Sequence, residues 1–257
     1  MYKHRPRIIP TLLLSNQNLV KTINFKNPNY LGDPINAVKI FNEEGVDELS
    51  ILDIEASKQG RGPDIEYLKS ITSEAFMPLS YGGGITKIEQ IRELFHIGFE
   101  KIVINSALYS NPQLITEAAK IAGNQSVVVS IDVKKNFFGT FTTYSNCGTK
   151  NTKNDPVDVV RKAAALGAGE IFLQSIDRDG KMTGYDDALV KKVSSAVNIP
   201  VIACSGAGSV SDLEKVIYED NAHAAAAGSL FVYFGKKKAV LINFPTEKEL
   251  EEAKVYR

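Results

Sequence analysis

Two stretches, VDELSILDI (residues 46–54) and AGEIFLQSI (residues 168–176), share one pattern: a glutamate followed by a short run of apolar residues. Each reads as a β-strand that opens on a carboxylate and runs into a loop. They stand 122 residues apart, nearly half of the 257-residue chain. Two further pairs keep that offset within one residue. YGGGI (81–85) lines up with the SGAGS segment (205–209), Gly83 opposite Gly206, and INSAL (104–108) with AGSLF (227–231), Ser106 opposite Ser229. A repeat at this period predicts two similar halves facing each other, with a roughly two-fold symmetric site between them.

Working outward, short apolar runs alternate with helical stretches along the chain. Strands are expected at 7–13, 48–53, 77–81, 101–105, 126–132, 170–175, 200–204 and 223–227. Asp33-Pro34, Asn111-Pro112 and Asp155-Pro156 each place an N-cap before a first-turn proline. Gly45, Gly98 and Gly167 fall where the helices should end. Strict alternation implies parallel strands joined by helical crossovers, and eight units favour closure. The fold expected is a (β/α)8 TIM barrel with a half-barrel repeat, one domain over residues 1–257. The eighth strand, HAAAA, is the one that propensity opposes, because alanine favours helix.

Thirty basic residues cancel thirty acidic ones, so no general electrostatic force favours nucleic acid or an anionic membrane as partner. The apolar run after the basic start, Ile8 to Leu14, is too short and too interrupted for a signal peptide. Nothing approaches the ~20 apolar residues of a membrane span. Two cysteines, Cys147 and Cys204, are too few for a disulfide framework. A cytoplasmic protein is expected. His4, His96 and His223 show no metal-ligand spacing, and neither a metal nor any other cofactor is expected. The run Lys236-Lys237-Lys238 reads as a solvated turn.

Chemistry in a barrel of this kind sits at the C-terminal ends of the strands. Gly82-Gly83-Gly84 follows the third strand and Gly206-Ala207-Gly208 the seventh, each ahead of a helix N-terminus. Asn105-Ser106 and Gly228-Ser229, one strand further on, complete each half. Tight turns also demand glycine, but the matched spacing points to two phosphate cups at the ends of one bisphosphorylated ligand. Asp132 ends the fifth strand and is the candidate general acid/base. Asp53 and the Asp177-Arg178-Asp179-Gly180 segment share that face, as ligand groups or as caps and ion pairs. At the opposite end Arg7, Glu48, Lys101 and Glu170 each open a strand. Strand parity turns Lys101 into the barrel if Asn105 reaches the site. Two positive and two negative charges would form a neutral ring whose burial costs desolvation. Such a ring reads as a stabilising ion cluster or as a gate for a small polar molecule.

RIIPTLLL, DELSILDIEAS, YGGGI, KIVINSAL, VVVSIDVKK, GAGEIFLQSIDRDG and GYD together resemble the cyclase subunit of imidazole glycerol phosphate synthase, the HisF family, from about residue 5 to 235. The resemblance implies a glutaminase docked at the N-terminal face, with ammonia passing up the barrel to a bisphosphate ligand. Arg7, Glu48, Lys101 and Glu170 match that family's gate, and Lys21 matches its lysine in the flexible loop after the first strand. One departure stands out. Leu13 occupies the position of the family's strand-1 aspartate, and leucine cannot transfer a proton. Ser205 also stands where the family prefers glycine, and GKKKAVLINFPTEKELEEA (235–253) differs from the usual ending. The chain is similar to relatives from surface-polysaccharide pathways. There the barrel and a glutaminase deliver ammonia to a third protein, an amidotransferase making acetamidino sugars. The alternatives are a true cyclase of histidine biosynthesis and a non-catalytic phosphate-binding scaffold. The cyclase would convert ammonia and phosphoribulosyl-formimino carboxamide ribonucleotide to imidazole glycerol phosphate and aminoimidazole carboxamide ribonucleotide.

Overall fold

The computed structural model describes residues 5–235 and 237–257, so His4 and Lys236 lie outside the described residues. Eight strands form the barrel: β1 (Arg7–Ser15), β2 (Leu49–Asp53), β3 (Leu79–Gly82), β4 (Lys101–Ile104), β5 (Val127–Lys135), β6 (Glu170–Ser175), β7 (Val201–Cys204) and β8 (Ala224–Ala227). Each pairs in parallel with the next, and β8 pairs with β1, so the sheet closes on itself. Closure leaves no free edge, and the helical crossovers cover its outer surface.

The crossovers carry α1 (Pro34–Glu43), α2 (Ile65–Thr72), α3 (Ile88–His96), α4 (Gln113–Ala122), α5 (Pro156–Ala165), α6 (Asp187–Ser194) and α7 (Val210–Tyr218). Asp33 caps α1 by accepting from the Ile35 amide (2.7 Å), and Asp155 caps α5 from the Val157 amide (2.8 Å). Asn111 differs from expectation: α4 starts at Gln113 behind Pro112 and has no side-chain cap. Gly45, Gly98 and Gly167 all take positive φ at the helix ends. After β8 the tail descends to α8 (Glu247–Glu252) at the bottom, where Arg5 meets Glu247 and stacks on Tyr256.

Alanine becomes strand in β8 because the neighbours require small side chains. Arg7 lies in register with Ala224, and Ala224 and Ala226 are fully buried in the barrel interior. Around them Ile9, Val103, Val128, Phe172 and Ile202 fill the interior, separate from the larger core between strands and helices.

Matched positions of the two halves share backbone conformation. The α2 cap Asp64 (φ −85, ψ 86) matches the α6 cap Asp186 (φ −89, ψ 85). Asn105 (φ −117, ψ −73) matches Gly228 (φ −104, ψ −67), each opening a short helix, Ser106–Ser110 or Ser229–Val232.

The expected loop after β1 is instead an antiparallel ribbon, Asn18–Ile23 with Lys26–Gly32. A second ribbon extends β5, with Phe141–Ser145 and Lys150–Asn151 folding back on it. A short third one, Tyr233–Phe234 with Ala239–Val240, follows β8. All three stand at the C-terminal mouth. The first two turn on consecutive positive-φ residues, Asn16-Gln17, Asn24-Phe25 and Asn146-Cys147, which is primed-turn geometry made largely without glycine.

Candidate active site and interior path

At the bottom of the barrel four charges close on one another. Arg7 donates to Glu48 (Nη1 to Oε2, 2.5 Å) and to Glu170 (Nη2 to Oε1, 2.7 Å). Lys101 Nζ donates to the same two carboxylates, at 2.8 and 3.1 Å. Each cation bridges both anions, so the ring is complete. Glu48 is 3% exposed. Burial works against the charge on Arg7, and Glu48 and Glu170 outweigh it, holding the guanidinium above its ordinary value. Above the ring lies the apolar layer of the barrel interior. Thr11 and Ser50, in register on β1 and β2, carry buried hydroxyls with no partner.

Two of the cavities at the mouth follow the half-barrel repeat. The first, about 130 Å3, is lined by Leu13, Gly83, Gly84, Asn105, Ser106 and Asp132. The second is closed to about 20 Å3 and is lined by Lys21, Asp179, Gly180, Gly206, Gly228 and Ser229. What closes it is the ribbon after β1. Asp179 accepts from Lys21 Nζ (2.6 Å), Thr22 Oγ1 (2.7 Å) and the Phe25 amide (3.1 Å), which draws the ribbon across the β6 loop. Lys21 is buried by this contact, beside Gly228. Within the second cavity Ser229 Oγ is buried without a partner; in the first, Ser106 Oγ already accepts from the Asn146 amide (3.2 Å).

Two glycines show why no side chain is tolerated. A Cβ on Gly83 would lie 2.6 Å from the Asp53 carbonyl oxygen, and one on Gly206 an impossible distance from Gly184. Ser205 takes φ 79, the left-handed region where a side chain is strained.

Asp132 is buried on the inner face of β5. Gln174 Nε2 donates to its Oδ1 at 3.2 Å, and Ser130 Oγ at 3.3 Å. Burial pushes its carboxyl up to about 7, partly offset by these two donors and reinforced by Asp179. A carboxyl placed there can both give and take a proton near neutral pH. Leu13 lines the same cavity and supplies no second titratable group. Cys147, from the ribbon beyond β5, also lines it; burial, with Asp132 next, raises its thiol to about 12, so it stays protonated.

Two sequence candidates, Asp177 and Gly208, do not line these cavities, and a third, Asp53, lines the first as a turn carboxylate. The Asp177 carboxylate accepts from the Lys135 amide (2.8 Å) and holds the β5 extension. The Gly208 amide is taken by Asp212 (2.9 Å), the N-terminal carboxylate of α7. Asp53 pairs with Arg61 (2.8 Å) and accepts from the Glu55 and Ala56 amides, which makes it a turn carboxylate. Conversely, Ser130, Gln174, Thr22, Phe25 and Cys147 line the first cavity without having been singled out. Strand parity would have found Ser130 and Gln174, which lie two and four residues from Asp132 and Glu170 on the inner face. The other three depend on ribbons that the sequence did not reveal. Among the described residues, no three His, Cys, Asp or Glu side chains gather as a metal site, and no helix is long and apolar enough to cross a membrane.

Against known proteins, residues 7–238 match the family described as histidine biosynthesis protein. The chain belongs to that family. A Pseudomonas aeruginosa protein, provisionally named imidazole glycerol phosphate synthase subunit hisF2, is 48% identical over 247 residues, covering 96% of this chain and 98% of its own. The subunit provisionally named hisF3 from Vibrio vulnificus is 48% identical over 250 residues, 97% of this chain and 96% of its own. The HisF subunit of Alkaliphilus metalliredigens is 43% identical over 227 residues, 88% and 90% of the two chains. The protein is thus HisF-like, a divergent member of the family.

Proposed function

We propose that this HisF-like protein is the ammonia-delivering subunit of an imidazole glycerol phosphate synthase-type glutamine amidotransferase, and that it does not close the imidazole ring itself. The observation that carries the reading is Leu13 on the wall shared with Asp132, above an intact charge ring. Ring closure by paired acid/base groups needs a second proton carrier facing Asp132, and Leu13 offers none. Delivery needs only the lower machinery. A glutaminase docks on the N-terminal face, the ring of Arg7, Glu48, Lys101 and Glu170 parts, and ammonia moves past Thr11 and Ser50 to the mouth. The unpartnered hydroxyls of those two residues are hydrogen-bonding stations in an otherwise apolar passage. The two mouth cavities hold phosphate: Gly83, Gly84, Asn105 and Ser106 at one end, and Lys21, Gly206, Gly228 and Ser229 at the other. Binding there requires Lys21 to leave Asp179. The destination of the ammonia is an acceptor amidotransferase of acetamidino-sugar synthesis, in keeping with the divergent tail.

A second reading is favoured by one observation. Asp132 sits near pH 7, poised as a lone acid/base, so a cyclase relying on it alone would have one competent group. Complementation separates the two readings. Expressed with a competent glutaminase in a strain lacking its histidine cyclase, the protein should give no growth on medium without histidine. Growth that Asp132→Asn abolishes would establish the cyclase instead.

A further inference from the structure

The three ribbons at the mouth differ in composition from the rest of the molecule. Segments 18–32, 134–153 and 233–241 contain nine lysines and not one aspartate or glutamate, although the whole chain is neutral; two of the nine are matched by neighbouring carboxylates, Lys21 by Asp179 and Lys135 by Asp186 (3.2 Å). They also carry most of the exposed large hydrophobic side chains. Among the described residues nine large hydrophobic side chains are exposed, and seven belong to these segments: Ile23, Tyr30, Phe137, Phe138, Phe234, Val240 and Leu241. Phe137 and Phe138 are 98% and 87% exposed at the tip of the β5 ribbon, their rings packed edge to face on each other with nothing above. The third ribbon is tied to the same face, with Lys238 Nζ reaching the Gly180 carbonyl at 3.4 Å.

We propose that this apolar, basic rim is the docking surface for the protein that consumes the ammonia, one whose own site is edged by acidic side chains. The proposal rests on the delivery reading above and locates its missing partner. Ammonia that emerges at an open mouth takes a proton from water and is lost as ammonium, so hand-over requires a partner sealed around the exit. Exposed aromatics ringed by charge of one sign are what such a seal uses: apolar anchors give affinity and complementary charge gives orientation and encounter rate. Steering of a phosphorylated ligand would account for lysines but not for Phe137 and Phe138 beside them. A second copy of this chain is disfavoured, because two lysine-rich rims repel. A lipid surface suits basic and apolar tips in general. Here it would press on the exit and leave the ammonia without an acceptor.

The test places a photo-crosslinking benzoylphenylalanine at position 138 in the native host and identifies the adduct by mass spectrometry. The expected adduct is a protein that, once purified, aminates its acceptor with free ammonium, and whose crosslinked surface is acidic. With that protein, the glutaminase and this chain reconstituted, Phe137→Ser/Phe138→Ser with Lys26→Glu/Lys150→Glu should lower glutamine-dependent product at least tenfold. Product made from added ammonium should be unchanged. A lipid adduct, an adduct with a second copy, or no adduct would overturn the proposal. So would sedimentation of the protein with phosphatidylcholine–phosphatidylserine vesicles that is lost in Phe137→Ser/Phe138→Ser. If Lys101→Met uncouples the complex and the rim variant does not, delivery stands and the rim proposal falls. If neither uncouples it, the delivery reading itself falls.

Discussion

In the charge ring at the bottom of the barrel each side chain has two partners, whereas at the top the buried carboxylate of Asp132 shares its cavity wall with a leucine. Both ends bear the desolvation of ionisable groups, but they meet it differently. The lower ring offsets it by mutual pairing, four contacts among four side chains. The upper end offsets it only partly, with two neutral donors, and the remainder appears as a carboxyl raised to about 7. On the delivery reading proposed above, a complete charge ring beneath a lone carboxyl is the arrangement expected where passage is kept and ring closure is not.

The largest stability effect should come from breaking the lower end. Glu48→Ala leaves Arg7 and Lys101 sharing Glu170 alone, and loss of one partner of a buried ion cluster costs roughly 3–5 kcal/mol. Urea denaturation at neutral pH measures this, and a loss below about 1 kcal/mol would mean that the ring is solvated like a surface pair.

Asp132→Asn tests the upper end through pH. A carboxyl whose folded value is raised stabilises the fold fully below its unfolded value of 3.8, and that stability is lost as pH climbs to about 7. The interval corresponds to roughly 4 kcal/mol as a ceiling. The asparagine variant lacks this titration, so its stability relative to the parent should grow between pH 4 and 8. Parallel curves for the two proteins would show that Asp132 is not desolvated.

Ser205→Gly gives the smallest change. Relieving a serine at φ 79 should raise stability by about 1 kcal/mol, reduced by the extra freedom glycine gains when unfolded. A higher melting temperature is the expected result; a lower one would show that the serine side chain earns its place through contacts at the second cavity.

The lower ring was the more legible end from sequence, because parity and strand starts suffice to bring Arg7, Glu48, Lys101 and Glu170 together. All eight strands were legible for a related reason: buried parallel strands are continuous apolar runs, and even the alanines of β8 are placed by their position in the alternation. The mouth was less legible. Its ribbons are rich in Asn, Thr and Lys, and their turns put Asn-Gln, Asn-Phe and Asn-Cys where glycine would have announced them. The Lys21–Asp179 pair joins residues 158 apart and exists only once the first ribbon has folded over. Asp177 and Asp179 illustrate the limit: two residues apart in one motif, one holds a backbone amide and the other closes a cavity.

The most direct test of the difference between the two ends is cyclase turnover with free ammonium at high pH and the formimino ribonucleotide, comparing the wild-type protein with Leu13→Asp. A second proton carrier is worth roughly 10²–10⁴-fold. The account predicts no enzyme-like release of the carboxamide ribonucleotide by wild type and a gain of that order in Leu13→Asp. Wild-type turnover at an enzyme-like rate, unchanged or lowered by the substitution, would contradict it.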